Sequence, residues 1–236
     1  MNSNDPNVVM LDIVAERLGA ELCDSLVFVG GAVAGLLITD PAQPAIRPTE
    51  DVDLLAQVVA RREYYLLEEQ LRARGFQQDM RPDAPICRWV VAGVTVDVMP
   101  TLPDVLGFSN RWYPLATATA WAATLTSGRV IRVISAAAFL ATKLEAFAGR
   151  GRGDYLFSHD LGDVISVVDG RGSLISELLL CDAELRAGVA ASVAGLLATR
   201  SFLDSLPGHL PGDVASQERL PDLLSKLKHI AGLGPS

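Results

Sequence analysis

Three aspartates stand inside stretches that are otherwise apolar and rich in β-branched residues, Asp51-Val52-Asp53-Leu54-Leu55 and Val94-Thr95-Val96-Asp97-Val98. Strand side chains alternate between the two faces of a sheet. Asp51 and Asp53 therefore project from one side while Val52 and Leu54 pack into the other, and Thr95 and Asp97 lie opposite Val94, Val96 and Val98. Aspartate is depleted in strands, and solubility alone accounts poorly for three of them in segments this apolar. If the two strands are neighbours, the acids share one small patch. Two carboxylates about 4 Å apart repel by roughly 4 kcal/mol at an effective dielectric near 20, so such a patch requires protons or cations. Magnesium, a hard cation that takes oxygen ligands, meets that requirement.

The surrounding sequence predicts a frame for these strands. Apolar residues at helical spacing predict an opening helix over Val8 to Leu18, stopped by Gly19. Leu26 to Val29 reads as a short buried strand. Gly30-Gly31 then turns the chain and Ala32 to Leu37 resumes as a helix, which sets the glycines at a helix N-terminus with its unpaired N–H groups. Asp40 to Pro48 holds three prolines and reads as a loop, followed by a strand over Asp51 to Gln57. Val59 to Arg74 predicts a helix capped by Gly75, with Tyr64, Leu67 and Leu71 on its inner face. Cys87 to Val91 and Val94 to Met99 flank Ala92-Gly93 as a hairpin. A strand follows at Val130 to Ile134, then helices over Ala136 to Phe147 (with Ser135 as N-cap), Asp160 to Val168, Leu174 to Arg186, Gly188 to Leu203 and Asp213 to Ile230. The expected class is α+β: an N-terminal mixed β-sheet core flanked by helices, residues 1–130, followed by a C-terminal α-helical region, residues 131–236, that closes over the site.

Composition narrows the function classes. Half of the 236 residues are hydrophobic and mean hydropathy is +0.29, so the chain is an ordered globular one. A net charge of −8 and a pI near 4.9 argue against gripping long nucleic acid through a broad basic face. Basic residues do gather locally, in Arg72, Arg74, Arg81 and Arg88 and again in Arg129, Arg132, Lys143, Arg150 and Arg152; they read as solvated helix faces and loops. Cys23, Cys87 and Cys181 are widely spaced among apolar neighbours and read as buried thiols, with neither a disulfide framework nor a zinc site. The apolar runs at 27–38 and 187–199 are broken well short of the ~20 residues of a membrane span, and the expected location is the cytoplasm. His159, His209 and His229 lack metal-ligand spacing. The G-x-G-x-x-G of a nicotinamide-binding turn is absent. Trp89, Trp112 and Trp121 read as core residues or as platforms for a base.

The glycine pair and the acids fit one chemistry. Attack on the α-phosphorus of a nucleoside triphosphate needs in-line geometry, neutralised phosphate charge and an ionised acceptor hydroxyl, which paired metal ions provide. Glycines let backbone approach phosphates without a Cβ in the way.

A strand, a glycine pair opening a helix, an Asp-hydrophobic-Asp strand and a third Asp on a later strand together resemble the DNA polymerase beta-type nucleotidyltransferase superfamily. Within it, the GG…RPTEDVDLL segment with the downstream ATKLEA…HDLGD is similar to the bacterial abortive-infection (AbiE-type toxin) nucleotidyltransferases, over roughly residues 26 to 168. The resemblance implies transfer of a nucleoside monophosphate from ATP or another nucleoside triphosphate to a hydroxyl of RNA such as a tRNA end, of a protein or of a small molecule. It further implies two Mg2+ ions, with Mn2+ as a substitute, and a toxin paired with an antitoxin partner. Gly30 and Gly31 become phosphate-loop residues and Asp51 and Asp53 metal ligands. Asp97 becomes the third carboxylate and metal ligand, which helps to activate the acceptor hydroxyl. Lys143 becomes the helix lysine that meets the triphosphate, and Asp160 an acid facing the active site, with Asp163 one turn along. Taken alone, Lys143 also reads as an ordinary amphipathic-helix lysine and Asp160 as a helix N-terminal acid. Relatives often carry serine at the second glycine, and Thr49 can supply that hydroxyl or form the turn before the strand. The gap from Gly31 to Asp51 is longer than usual, and its excess falls in the proline-rich loop, where an insertion costs little. The alternative is a catalytically inactive module that keeps the fold to bind a partner protein.

Overall fold

The computed structural model describes residues 5–43, 46–58 and 60–234. They divide into two compact units, residues up to Gly35 with 47–135, and residues 36–46 with 136–236. The architecture is α+β, with an N-terminal mixed sheet flanked by helices and a C-terminal helical region.

The first unit begins with α1 (Pro6–Ser25), whose start is set by Asp5 accepting from the Asn7 N–H at 2.9 Å and by Pro6 in the first turn. Val8, Leu11, Val14, Leu18 and Leu22 recur on its buried face. Gly19 interrupts the helix as expected: at φ 70° and ψ 169° it breaks the spiral, and a second helical stretch continues to Ser25. β1 (Leu26–Val29) is buried at every residue. A 3-10 turn, Gly31–Val33, and the short α2 (Ala34–Leu37) take the place of the single helix expected after the glycines.

β2 (Asp51–Ala56) and α3 (Arg61–Ala73) follow, with Tyr64, Leu67 and Leu71 buried as their spacing predicts. The Tyr64 hydroxyl donates to the Val98 carbonyl at 2.7 Å. The expected helix start at Val59, and Pro44 and Ala45 of the proline-rich loop, lie outside the described residues. β3 (Gln77–Gln78), β4 (Arg88–Val91), β5 (Val94–Pro100), α4 (Pro103–Leu106), α5 (Tyr113–Ala118), β6 (Trp121–Thr124) and β7 (Val130–Val133) complete the unit.

The strand order is β3-β4-β5-β2-β1-β7-β6, with β1–β7 and β2–β5 parallel and the other pairs antiparallel. The β4–β5 hairpin turns through Ala92 at φ 47° and Gly93 at φ 82°, the two successive left-handed residues of a tight hairpin turn. β3 and β6 carry no sequence signature: the first is two polar residues, and the second an edge strand with three of four residues exposed.

The second unit comprises α6 (Ala136–Arg150), α7 (His159–Gly170), α8 (Leu174–Leu180), α9 (Ala183–Leu197), α10 (Arg200–Ser205), a 3-10 turn at Leu206–His209, α11 (Val214–Gln217) and α12 (Leu220–Ala231). Phe139, Leu140, Val164, Val168, Val193 and Leu227 are buried at its centre. The helices expected over 174–186 and 188–203 are divided differently. The break falls at Cys181-Asp182, where the Asp182 carboxylate accepts from the Glu184 and Leu185 N–H groups and starts α9. Ala187, the expected gap, and Gly188, the expected start of the second helix, both lie inside α9.

Segment 36–46 is bonded into this unit. The Gly170 carbonyl accepts from the Thr39 and Asp40 N–H groups at 3.0 and 2.9 Å. Arg219 donates to Asp169 at 2.9 Å and to Asp40 and Gln43 at 2.8 Å each. No single helix among the described residues is long and apolar enough to cross a membrane.

Candidate functional site

The sheet register decides where the three aspartates go. In the parallel β2–β5 pair, Asp53 is the direct neighbour of Asp97, and Asp51 of Thr95. One carboxylate oxygen from each of Asp51, Asp53 and Asp97 lies within 4.8 Å of the others. Asp97 is buried at 8% exposure, while Asp51 and Asp53 are partly open. At that spacing and an effective dielectric near 20, each ionised pair repels by about 3.5 kcal/mol or more. Hard oxygen donors converging in this way match the preference of Mg2+ or Mn2+, so the donor set fits a divalent cation.

Gly30 is shaped by the same cluster. It sits at φ 70°, and a Cβ built there would lie 1.8 Å from Asp53 Oδ2. The glycine is therefore required by the carboxylate that fills the space beside it. Gly31 opens the 3-10 turn. Thr49 turns toward the acids: its hydroxyl donates to Asp51 Oδ1 at 3.2 Å, and its N–H donates to Asn7 Oδ1 at 2.9 Å. Asn7, 2% exposed on the first turn of α1, also donates to the Arg47 carbonyl at 3.1 Å, so one buried amide fixes the approach to β2.

Arg88, expected on a solvated surface, belongs to the cluster. It stands directly across the β4–β5 hairpin from Asp97. Its Nε and Nη2 donate to the two Asp97 oxygens at 2.8 and 2.7 Å, and Nη2 reaches Asp51 Oδ2 at 3.5 Å. The hydrogen bond to Asp97 raises the Arg88 pKa against the opposing effect of burial, with the charges of Asp97 and Asp51 adding to the rise. A usable signal was present in the sequence: counting outward from a two-residue turn at Ala92-Gly93 places Arg88 opposite Asp97. Neighbouring Cys87 is buried, and burial and then the Asp97 charge push its thiol up to about 12.

Lys143 and Asp160 belong to the second unit, where they form an ionic cluster with Asp163 and Arg150. Lys143 Nζ lies 3.1 Å from Asp160 Oδ1 and 2.8 Å from Asp163 Oδ2. Arg150 donates to Asp160 through Nε and Nη2 at 2.8 and 2.9 Å. Lys143, Asp160 and Asp163 are 9%, 6% and 2% exposed, so none is an ordinary surface charge. Burial pushes the Asp160 pKa up, but the Arg150 hydrogen bond and the Lys143 charge outweigh it and hold the carboxyl below its ordinary value.

The remaining candidates fall outside both clusters. Trp89 and Trp112 are core residues, and Trp121 is 40% exposed on the edge strand β6. Cys23 and Cys87 are buried thiols, but Cys181, expected buried, is partly open at the end of α8.

No family model and no curated protein sequence matches this chain. Among solved structures, it is similar to a candidate nucleotidyltransferase from H. pylori, at 10% identity and a TM-score of 0.45, over 98% of this chain and 96% of that one. It is also similar to JHP933 from Helicobacter pylori, at 12% identity and a TM-score of 0.45, over 95% and 92% of the two chains. Likenesses at this level assign neither activity nor substrate.

Proposed function

We propose that this chain is a metal-dependent nucleotidyltransferase, moving a nucleoside monophosphate from a nucleoside triphosphate to a hydroxyl acceptor. The observation that carries the reading is the register that lines up Asp53 with Asp97 and leaves Asp51 within 4.8 Å of both, beside the glycine that makes room for Asp53. Asp51, Asp53 and Asp97 would hold Mg2+ or Mn2+, and the bound cation would neutralise phosphate charge and favour ionisation of the acceptor hydroxyl. Thr49 orients Asp51, and Arg88 orients Asp97. RNA, a protein and a small hydroxylated molecule are the acceptor classes, and the net charge of −8 weighs against an extended RNA grip. A toxin role with an antitoxin partner belongs to the same proposal and rests on the GG…RPTEDVDLL and ATKLEA…HDLGD motifs.

The test is incubation with each α-labelled triphosphate and Mg2+ in the presence of total RNA, protein extract and aminoglycosides, following where the label lands. Transfer is expected, and Asp53→Asn should abolish it with the circular dichroism spectrum unchanged. One observation favours a second reading, a non-catalytic binding module: the Arg88 fork engages both oxygens of Asp97. Label that remains in the triphosphate with every acceptor would select that reading.

A further inference from the structure

We infer that Arg88 is the resident counter-ion of the three-carboxylate cluster: it holds Asp97 in place and sets the cluster's affinity for a free divalent cation below that of three unpaired carboxylates. The inference rests on the metal-centre reading above and deepens it.

Three features of the hairpin support it. The tight turn at Ala92-Gly93 pins the register, so Arg88 faces Asp97 across the strands and cannot slip to another partner without moving every side chain of β4 to the opposite face. The two bonds of 2.8 and 2.7 Å form a parallel fork that fixes the plane of the Asp97 carboxylate and takes one acceptor position on each oxygen. Nη2 also reaches Asp51 Oδ2 at 3.5 Å, so one guanidinium faces two of the three acids. With Arg88 in place, the three negative charges are reduced to a net two. A divalent cation entering the cluster meets that smaller charge, together with repulsion from a guanidinium that stays protonated at all physiological pH. Asp53, the register neighbour of Asp97 on the other side, completes a row of cation, anion, anion across β4, β5 and β2.

The experiment is a nucleotide-free Mn2+ titration of the full chain, followed through the electron paramagnetic resonance of free Mn2+. It compares the natural protein with Arg88→Met, Arg88→Gln, Arg88→Lys and Asp53→Asn, each checked for folding by circular dichroism. Removing the charge should tighten Mn2+ binding by roughly ten-fold or more in Arg88→Met and Arg88→Gln. Arg88→Lys, which keeps the charge and loses the fork, should stay within about three-fold of the natural protein. Asp53→Asn should bind more weakly. If the natural protein binds Mn2+ and both neutral variants bind it equally or less tightly, the counter-ion role is overturned and the metal centre stands. If no variant binds Mn2+, both readings fall. Two neutral replacements keep the test decisive where one of them fails to fold.

Discussion

At Gly30 two independent constraints meet. The backbone takes φ 70° and ψ −168°, a region that side chains rarely adopt, and the space where a Cβ would sit is occupied by Asp53 Oδ2. The first constraint costs about 1 to 3 kcal/mol on replacement, and the second adds overpacking of similar size. Gly93, at φ 82° with nothing within 4 Å of a built Cβ, carries only the first. Gly30→Ala should therefore lower unfolding free energy by about 3 kcal/mol or more in urea titrations, against about 1 kcal/mol for Gly93→Ala, and should also weaken Mn2+ binding. Equal losses at the two positions would show that the Asp53 approach is not what Gly30 serves. The acids themselves were legible in the sequence because strand alternation is a local rule. Arg88 was missed because its neighbours along the chain, Cys87 and Trp89, say nothing of it, and its meaning appears only when the hairpin is counted residue by residue.

At the scale of elements, α6 and α7 show what periodicity leaves out. Lys143 and Arg150 lie two turns apart on α6, and Asp160 and Asp163 one turn apart on α7. Each pair alone resembles a wet helix face, yet between the helices the charges are matched, with Lys143, Asp160 and Asp163 buried and Arg150 open to water. Breaking a buried pair by removing one partner costs about 3 to 5 kcal/mol, because the other charge is stranded. Asp160→Asn removes the shared partner of both cations, but Lys143 keeps Asp163 at 2.8 Å and Arg150 is open to water, so the loss falls below that range. The folded carboxyl lies below its unfolded value of 3.8, so its contribution is fully present above that value and is lost as pH falls through the folded one. The difference in urea midpoint between the natural protein and Asp160→Asn should therefore shrink as pH is lowered from about 5 to about 2. A difference that stays constant over that range would remove Asp160 from the account. Helix ends were the less legible part for a related reason. The apolar rhythm runs on through Cys181 to Leu185, and the break is made by one side chain, Asp182, capping the next helix.

At the scale of the whole molecule, the second unit is not a continuous length of chain. Leu36 to Ile46 belongs to it, separated in sequence from Ala136 onward by the strands of the first unit. No periodic pattern announces this: Leu37 is buried and Ile38 lies close to Gly170, but the run is too short to show a helical or strand rhythm, and most of its links are backbone groups and two polar side chains. Its Thr39 and Asp40 N–H groups satisfy the Gly170 carbonyl at the end of α7, and its Asp40 and Gln43 side chains accept from Arg219. Gly170 is glycine where Ile38 comes close: a Cβ there would lie 2.9 Å from Ile38 Cγ2. Arg219 also holds Asp169, which is 3% exposed. Without the segment, Arg219 keeps a single acid partner and α7 loses the groups that finish its last turn. Each such hydrogen bond contributes about 1 kcal/mol net, and those to charged groups about 1.5 to 3. A fragment of residues 136–236 should therefore unfold at markedly lower urea than the same fragment carrying 36–46 joined to its N-terminus through a flexible linker. The Asp40→Ala form of the joined fragment should fall between the two. Equal midpoints for the short and joined fragments would mean that the helices of the second unit hold themselves, with 36–46 as a passive guest.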